Sequence, residues 1–265
     1  MLKGRVALIT GAASVKGIGF GIAKKFAENG CHIILNDIRE PDKGLLSEVK
    51  ILEESGLKCH VVMADVSDSK QVTQMIKEST NKFGKIDILV NNAAFAPHPK
   101  SIIDIPEEEW DKVLAVNLKA AFLLCREVSP YMKKASYGKI INISAVSGLS
   151  PIISNVHYNS SKAALIMLTK DLALEFAPFN VNVNCICPGL IVTELTESIA
   201  PGRDEEKKVF FEAFAKNNIP MQRAGYPENI ANAALFFASD LSSYITGEVL
   251  AVAGGVPLFR TGLPK

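Results

Sequence analysis

An α/β fold built on one parallel seven-stranded sheet, with helices on both faces, is predicted by three observations. Short β-branched runs alternate with longer stretches of helical periodicity; the runs are apolar on both faces; and a glycine-rich turn joins the first run to the first helix. The predicted strands are Val6–Thr10, His32–Asp37, Cys59–Asp65, Ile86–Val90, Lys139–Ser144, Val181–Cys187 and Glu248–Val252. Between them the predicted helices are Gly19–Asn29, Lys43–Ser55, Ser69–Phe83, Trp110–Lys134, Tyr158–Ala177 and Pro227–Ala238. In the third of these, Val72, Met75, Ile76 and Phe83 recur at helical spacing. Strands buried on both sides and joined by helices make a doubly wound, Rossmann-type sheet. No internal repeat, low-complexity stretch or linker divides the chain, so 1–265 reads as a single domain.

The 265 residues are 48% hydrophobic, enough for a large core. Basic and acidic residues nearly cancel, 29 against 28, which gives no reason to expect a nucleic-acid or anionic-membrane partner. No stretch approaches the roughly 18 apolar residues of a membrane span, and the apolar run after Met1–Arg5 is too short for a signal peptide. A soluble, cytoplasmic protein is expected. Its cysteines, at 31, 59, 125, 185 and 187, read as reduced core thiols, and no ligand cluster for a metal accompanies the Cys185/Cys187 pair.

Two segments interrupt the alternation. Phe95–Pro106 holds three prolines, and Thr193–Met221 mixes the charged run Arg203–Lys208 with Val209, Phe210, Phe211 and Phe214. Both follow strand carboxyl ends, where open α/β sheets bind ligands. Residues 193–221 are therefore expected to form a substrate lid whose aromatic side chains close onto an apolar surface.

The first predicted strand runs into Gly11-Ala12-Ala13-Ser14-Val15-Lys16-Gly17-Ile18-Gly19, and a helix follows at once. Glycines at such a turn let the backbone approach a pyrophosphate, and the helix N-terminus offers amide donors. Gly11, Ser14, Gly17 and Ile18 are thus candidate cofactor contacts. Asp37 comes 18 residues after Gly19, at the end of the second strand, where a carboxylate can accept both hydroxyls of an adenosine ribose. It would repel a 2′-phosphate and so favours NAD over NADP. Lys16 and Arg39, cations near the same place, pull the other way.

These features, with several others in the same order, resemble the short-chain dehydrogenases/reductases from about Gly4 to Gly255. Asp65-Val66 looks like the pair that contacts adenine, and Asn91-Asn92-Ala93-Ala94 resembles the family's Asn-Asn-Ala-Gly. Asn117 resembles the helix asparagine that holds a proton-relay water. Tyr158-Asn159-Ser160-Ser161-Lys162 fits Tyr-x-x-x-Lys. Pro188-Gly189-Leu190-Ile191-Val192-Thr193 resembles the segment that holds the nicotinamide carboxamide. The resemblance implies cofactor contacts at Asp65, Val66, Asn92, Ala93, Ala94, Pro188, Gly189, Ile191 and Thr193, and catalysis by Tyr158, Lys162 and Asn117. It also implies a dimer or tetramer.

The chemistry accounts for the tyrosine spacing. Residues i and i+4 of one helix share a face. A neighbouring ammonium, together with the positive ring of an oxidised nicotinamide, should lower the phenol's pKa from about 10 so that it can exchange the substrate proton.

Three features depart from the family pattern. Ala145 stands thirteen residues before Tyr158, where a substrate-binding serine is usual. Natural specialisation, replacement by Ser147 and a serine-to-alanine variant all account for it; Ser144 should face the other way. The glycine turn is two residues longer than usual, as in enoyl-acyl-carrier-protein reductases, but the tyrosine-to-lysine spacing is that of carbonyl/alcohol enzymes. Ala253 replaces a common aspartate. His98, in the proline-containing loop, is a further candidate for the substrate mouth, with Ala145 and Ser147. The expected activity is hydride exchange between a nicotinamide and a small secondary alcohol or ketone. The alternatives are reduction of C=C or C=N, non-redox chemistry on the same fold, or nucleotide binding without turnover.

Overall fold

Along β1 (Val6–Thr10) every residue is buried, and the alternation of a strand sends Val6 and Leu8 into one layer of helices and Ala7 and Ile9 into the other. The computed structural model describes residues 1–200, 202 and 204–256; Arg203 of the charged run and the last residues of the expected domain lie outside them. After β1 come α1 (Ile18–Glu28), β2 (His32–Asp37), α2 (Lys43–Glu54), β3 (Cys59–Met63), α3 (Ser69–Phe83) and β4 (Ile88–Asn91). The second half contains α4 (Glu107–Leu114), α5 (Ala120–Ala135), β5 (Gly138–Ile143), α6 (Val156–Phe176) and β6 (Val181–Pro188). The chain continues through α7 (Glu194–Ile199), α8 (Asp204–Asn218), α9 (Pro227–Ala238) and β7 (Val249–Val252).

The seven strands form one parallel sheet, as expected, and their order is β3-β2-β1-β4-β5-β6-β7. One face is covered by α1 and α9 through Phe20, Phe26, Ile230 and Phe237. The other is covered by α3, α5 and α6 through Met75, Leu124, Val128 and Phe176. Aspartates cap two of the surface helices: Asp42 accepts from Leu45 N, and Asp68 from Lys70 N and Gln71 N. The strand order reverses between β1 and β4, which opens a crevice at their carboxyl ends.

The predicted helix Trp110–Lys134 differs in the structure. It begins at Glu107 and is broken into α4 and α5 by a π turn at Ala115–Lys119, whose extra residue per turn leaves no mark on apolar periodicity. The predicted lid contains two helices, α7 and α8. On α8, Phe211 and Ala215 are buried, while Val209, Phe210 and Phe214 stay exposed. All five cysteines are buried and free. Among the described residues no helix is long and apolar enough to cross a membrane.

Candidate active site

The glycine turn is shaped by close backbone approach. Gly11 has φ +64°, and a Cβ on it would lie 2.7 Å from Ala93 Cα. A Cβ on Gly19 would lie 2.6 Å from both Asn92 Nδ2 and Gly11 O. The turn and the start of the loop after β4 are laced together. Asn92 Nδ2 donates to Thr10 O at 2.8 Å and Gly11 O at 3.0 Å, while Asn92 N and Ala93 N donate to Thr10 Oγ1. Asn92 is therefore a brace for the turn.

Gly17 caps α1 without any side-chain bond, and the first turn carries no acid, so the amides and the positive end of the helix dipole are unopposed there. Asp37 closes the other wall. Its Oδ2 accepts from Ala13 N at 3.0 Å and its Oδ1 from Arg39 N at 3.1 Å. A glycine cradle that a Cβ would fill, a bare helix N-terminus and a carboxylate at the end of β2 fit a dinucleotide.

Other expected contacts have local duties. Asp65 Oδ1 accepts from Ser67 N and Oγ, and Val66 is buried in the core. Past β6, Leu190 and Val192 form backbone bonds with Gly225, on which a Cβ would lie 2.5 Å from buried Ile191 Cδ1. Gly189 passes Ala253 so closely that a Cβ would lie 2.8 Å from the alanine's. Thr193 caps α7 with a reciprocal bond to Thr196.

Tyr158 and Lys162 lie one turn apart near the start of α6, the lysine Nζ 5.6 Å from the centre of the phenol ring. Nζ donates to Ile143 O at the end of β5 at 2.9 Å and is almost wholly buried. Burial pushes the Tyr158 phenol up to about 12 and the Lys162 ammonium down to about 8. The expected lowering of the phenol by its lysine is thus not met in the chain alone, because desolvation disfavours both charged forms.

Asn117 sits in the π turn and joins three elements. Its Oδ1 accepts from Phe95 N at 2.7 Å, and its Nδ2 donates to Phe95 O and Ser161 Oγ. The carboxamide thereby fixes the start of the loop after β4 against α6.

Ala145 is extended, and the chain then bends through a single 3-10 turn, Val146–Gly148. Ser144 is committed elsewhere, its Oγ donating to Lys162 O at 2.8 Å. Ser147 is buried, and its Oγ has no hydrogen-bond partner among the described residues. His98 is exposed in its loop.

A feature absent from the expected set is a chain of charged side chains beside the tyrosine, of which only His157 is buried. His157 Nε2 meets Glu109 Oε1 at 3.1 Å, and Glu109 Oε2 accepts from Lys100 Nζ at 2.6 Å. Lys100, whose backbone N donates to Ser154 O at 2.8 Å, belongs to the loop after β4. Lys100 first, and then His157, hold the Glu109 carboxyl below its ordinary range. Nothing in the spacing of these residues links them, since Glu109 and His157 are 48 positions apart.

Residues 11–257 match a family model described as Enoyl-(Acyl carrier protein) reductase. A 3-oxoacyl-acyl-carrier-protein reductase from Thermotoga maritima is 39% identical over 255 residues, 96% of this chain and 98% of that one. An NAD-dependent glycerol dehydrogenase from Listeria innocua is 38% identical over 251 residues, covering 95% and 93% of the two chains. Among solved structures, a short-chain dehydrogenase/reductase from Burkholderia xenovorans has a TM-score of 0.88 at 34% identity, covering 98% of this chain and 99% of its own.

Proposed function

The chain belongs to the short-chain dehydrogenase/reductase family of oxidoreductases, and from that membership we propose that it exchanges hydride between NAD(H), in preference to NADP(H), and a secondary alcohol or ketone. The observation that carries this reading is the pairing of Tyr158 with buried Lys162 on α6, beside the strand ends that hold the glycine cradle. The cofactor supplies the hydride donor or acceptor and, when oxidised, a positive ring.

The chain's own residues handle the proton. With its phenol at about 12, Tyr158 is a protonated acid at neutral pH and can donate from Oη to a ketone oxygen as that oxygen gains charge. In the oxidative direction the phenol must first lose its proton, which a nearby cation favours and burial opposes. Lys162, oriented by Ile143 O, is the side chain placed to supply that charge. Asn117 positions Phe95 and the loop beyond it.

Asp37 supports NAD, since its carboxylate would accept ribose hydroxyls and repel a 2′-phosphate. The exposed Phe210 and Phe214 of α8, with Ile152 and Ile153 after the 3-10 turn, support an apolar or ring-containing substrate. A cytoplasmic homodimer or homotetramer completes the reading; exposed Phe122, Met167 and Leu174 on α5 and α6 support self-association.

Ala145 favours a second reading, reduction of C=C or C=N or non-redox chemistry, because a methyl cannot hold a developing oxyanion. NADH fluorescence on binding, followed by turnover with a panel of carbonyl compounds, tests the first reading. Tyr158→Phe should lower turnover about 10²- to 10⁴-fold while NADH still binds. Failure of both NADH and NADPH to bind overturns the first reading. If Ala145→Ser raises ketone turnover about a hundredfold, the second reading loses its motive.

A further inference from the structure

The lengthened glycine turn carries Val15 and Lys16, which have no part in the cradle described above. They form the tip of the turn and carry Lys16 outward, 71% exposed along its side chain. Lys16 Nζ there lies 3.8 Å from Glu197 Oε2 on α7. Arg39, two residues past Asp37, makes a parallel contact: its guanidinium NH1 lies 3.6 Å from Glu194 Oε2 on the same helix. Its Nε also lies 3.4 Å from Asp37 Oδ1. Two cations from the adenosine side of the cleft thus meet two acids from the segment that follows β6.

We infer that Glu194 and Glu197 are specificity-determining residues for the dinucleotide: by pairing with Lys16 and with Arg39, whose Nε also meets Asp37, they compete with a 2′-phosphate for the cations of the glycine turn and of the β2 end. This rests on the cofactor reading given above and extends it to residues 157 or more positions from Asp37 in sequence. A 2′-phosphate needs a cation with free donors beside it. Arg39 and Lys16 are the side chains of that kind on the adenosine side, and both are engaged by carboxylates that would also repel the phosphate. An adenosine ribose with a free hydroxyl makes no such demand and leaves the pairs in place. The lengthened turn then has a use, since it brings Lys16 to α7.

The test is the ratio of NADPH to NADH dissociation constants, read by cofactor fluorescence in the full chain without substrate. Glu194→Gln combined with Glu197→Gln frees both cations at nearly constant size. Exposed ion pairs are each weak, so the expected change is a shift of the ratio toward NADPH by about tenfold. NADH affinity should change little, and added salt should weaken the NADPH gain. Replacing Lys16 and Arg39 by Met in the same background should remove that gain, a cycle that isolates the pairing. An unchanged ratio overturns the inference, as does equal weakening of both cofactors, which would mean that α7 had merely been disturbed. Glu194→Gln alone, a 57% exposed side chain, gives a milder version of the same readout. If wild type binds neither cofactor, the cofactor reading itself fails; if it binds NADH but the ratio does not move, only this inference does.

Discussion

The turn after β1 and the loop after β4 run side by side over the same strand ends, yet they are held by different means. In the turn two side chains, Asn92 and Asp37, brace backbone atoms (Thr10 O, Gly11 O and Ala13 N) that are packed too closely to admit a Cβ at Gly11 or Gly19. Beyond Phe95 the loop is held by side chains, first the carboxamide of Asn117 and then the Lys100–Glu109–His157 chain. Apolar groups stand in the open at Ile102 and Ile103 in the loop, and at Phe210 and Phe214 on α8. A backbone-built end suits a ligand that stays the same. An end built from side chains can be altered one residue at a time without disturbing the sheet. That division agrees with relatives whose names share redox chemistry but specify a 3-oxoacyl group in one and glycerol in the other.

Breaking the backbone-built end should have the largest effect. In Gly19→Ala the new methyl would meet Asn92 Nδ2 and the carbonyl oxygen of Gly11 at 2.6 Å, and a carbonyl within the tight turn cannot give way as a flexible side chain can. Overpacking of this kind costs about 1–3 kcal/mol, and it displaces the surface on which the cofactor rests. NADH affinity should fall by roughly a hundredfold in a fluorescence titration, with the fold retained by circular dichroism. Equal NADH affinity in Gly19→Ala would show that the cradle adapts and that the two ends are not distinct in kind.

How much of each end could be read from sequence follows the same division. Gly11, Gly17, Asp37, Tyr158 and Lys162 declare themselves because their relations are local: a turn, a strand end, one helical turn. The strand order is set by crossovers that apolar runs do not encode, whereas the parallel sheet and its two covering layers followed from runs apolar on both faces. The π turn around Asn117 did not, since one added residue per turn hardly disturbs an apolar stripe. Glu109 with His157, and Lys16 with Glu197, did not either, because long side chains find partners across the fold by geometry that spacing does not encode. Ser147 was readable as a residue that needs a bend; the bend exists, and its hydroxyl is buried without a hydrogen-bond partner among the described residues.

Where the two ends meet, Lys162 carries a thermodynamic cost that sharpens the comparison. Burial lowers its pKa from 10.5 in the open to about 8, equivalent to about 3 kcal/mol against the charged form at pH 7. Lys162→Met keeps the volume, removes the charge and loses one bond to Ile143 O worth about 1 kcal/mol. The variant should be inactive yet more stable to urea at pH 7 by about 2 kcal/mol. Between the two pKa values the unfolded lysine holds a proton that the folded one has released, so wild-type stability rises with pH there. The advantage of the variant should therefore shrink as pH rises from about 8 to 10.5. Tyr158 acts in the opposite sense only above pH 10, where its folded pKa of about 12 retains a proton that the unfolded chain loses. A variant less stable than wild type across the whole range would contradict the buried-charge account.

The smallest expected effect lies wholly at the side-chain end. Glu109→Gln keeps the shape that joins Lys100 to His157 but removes the charge that both face. Lys100 then has weaker reason to hold the loop after β4 against Ser154, and the start of α6 loses a charged neighbour for His157. Since the glycine turn makes no contact with this chain of residues, NADH affinity and kcat should stay within error of wild type. The KM for a carbonyl substrate should rise, by roughly fivefold if the loop only loosens. Lys100→Arg, which preserves the charge and can still reach Glu109, should leave KM close to wild type, whereas Lys100→Met should match Glu109→Gln. A rise in the NADH dissociation constant equal to the rise in KM would mean that the loop and the turn move as one body. In that case the separation would be one of construction only, and both ends would answer to either ligand.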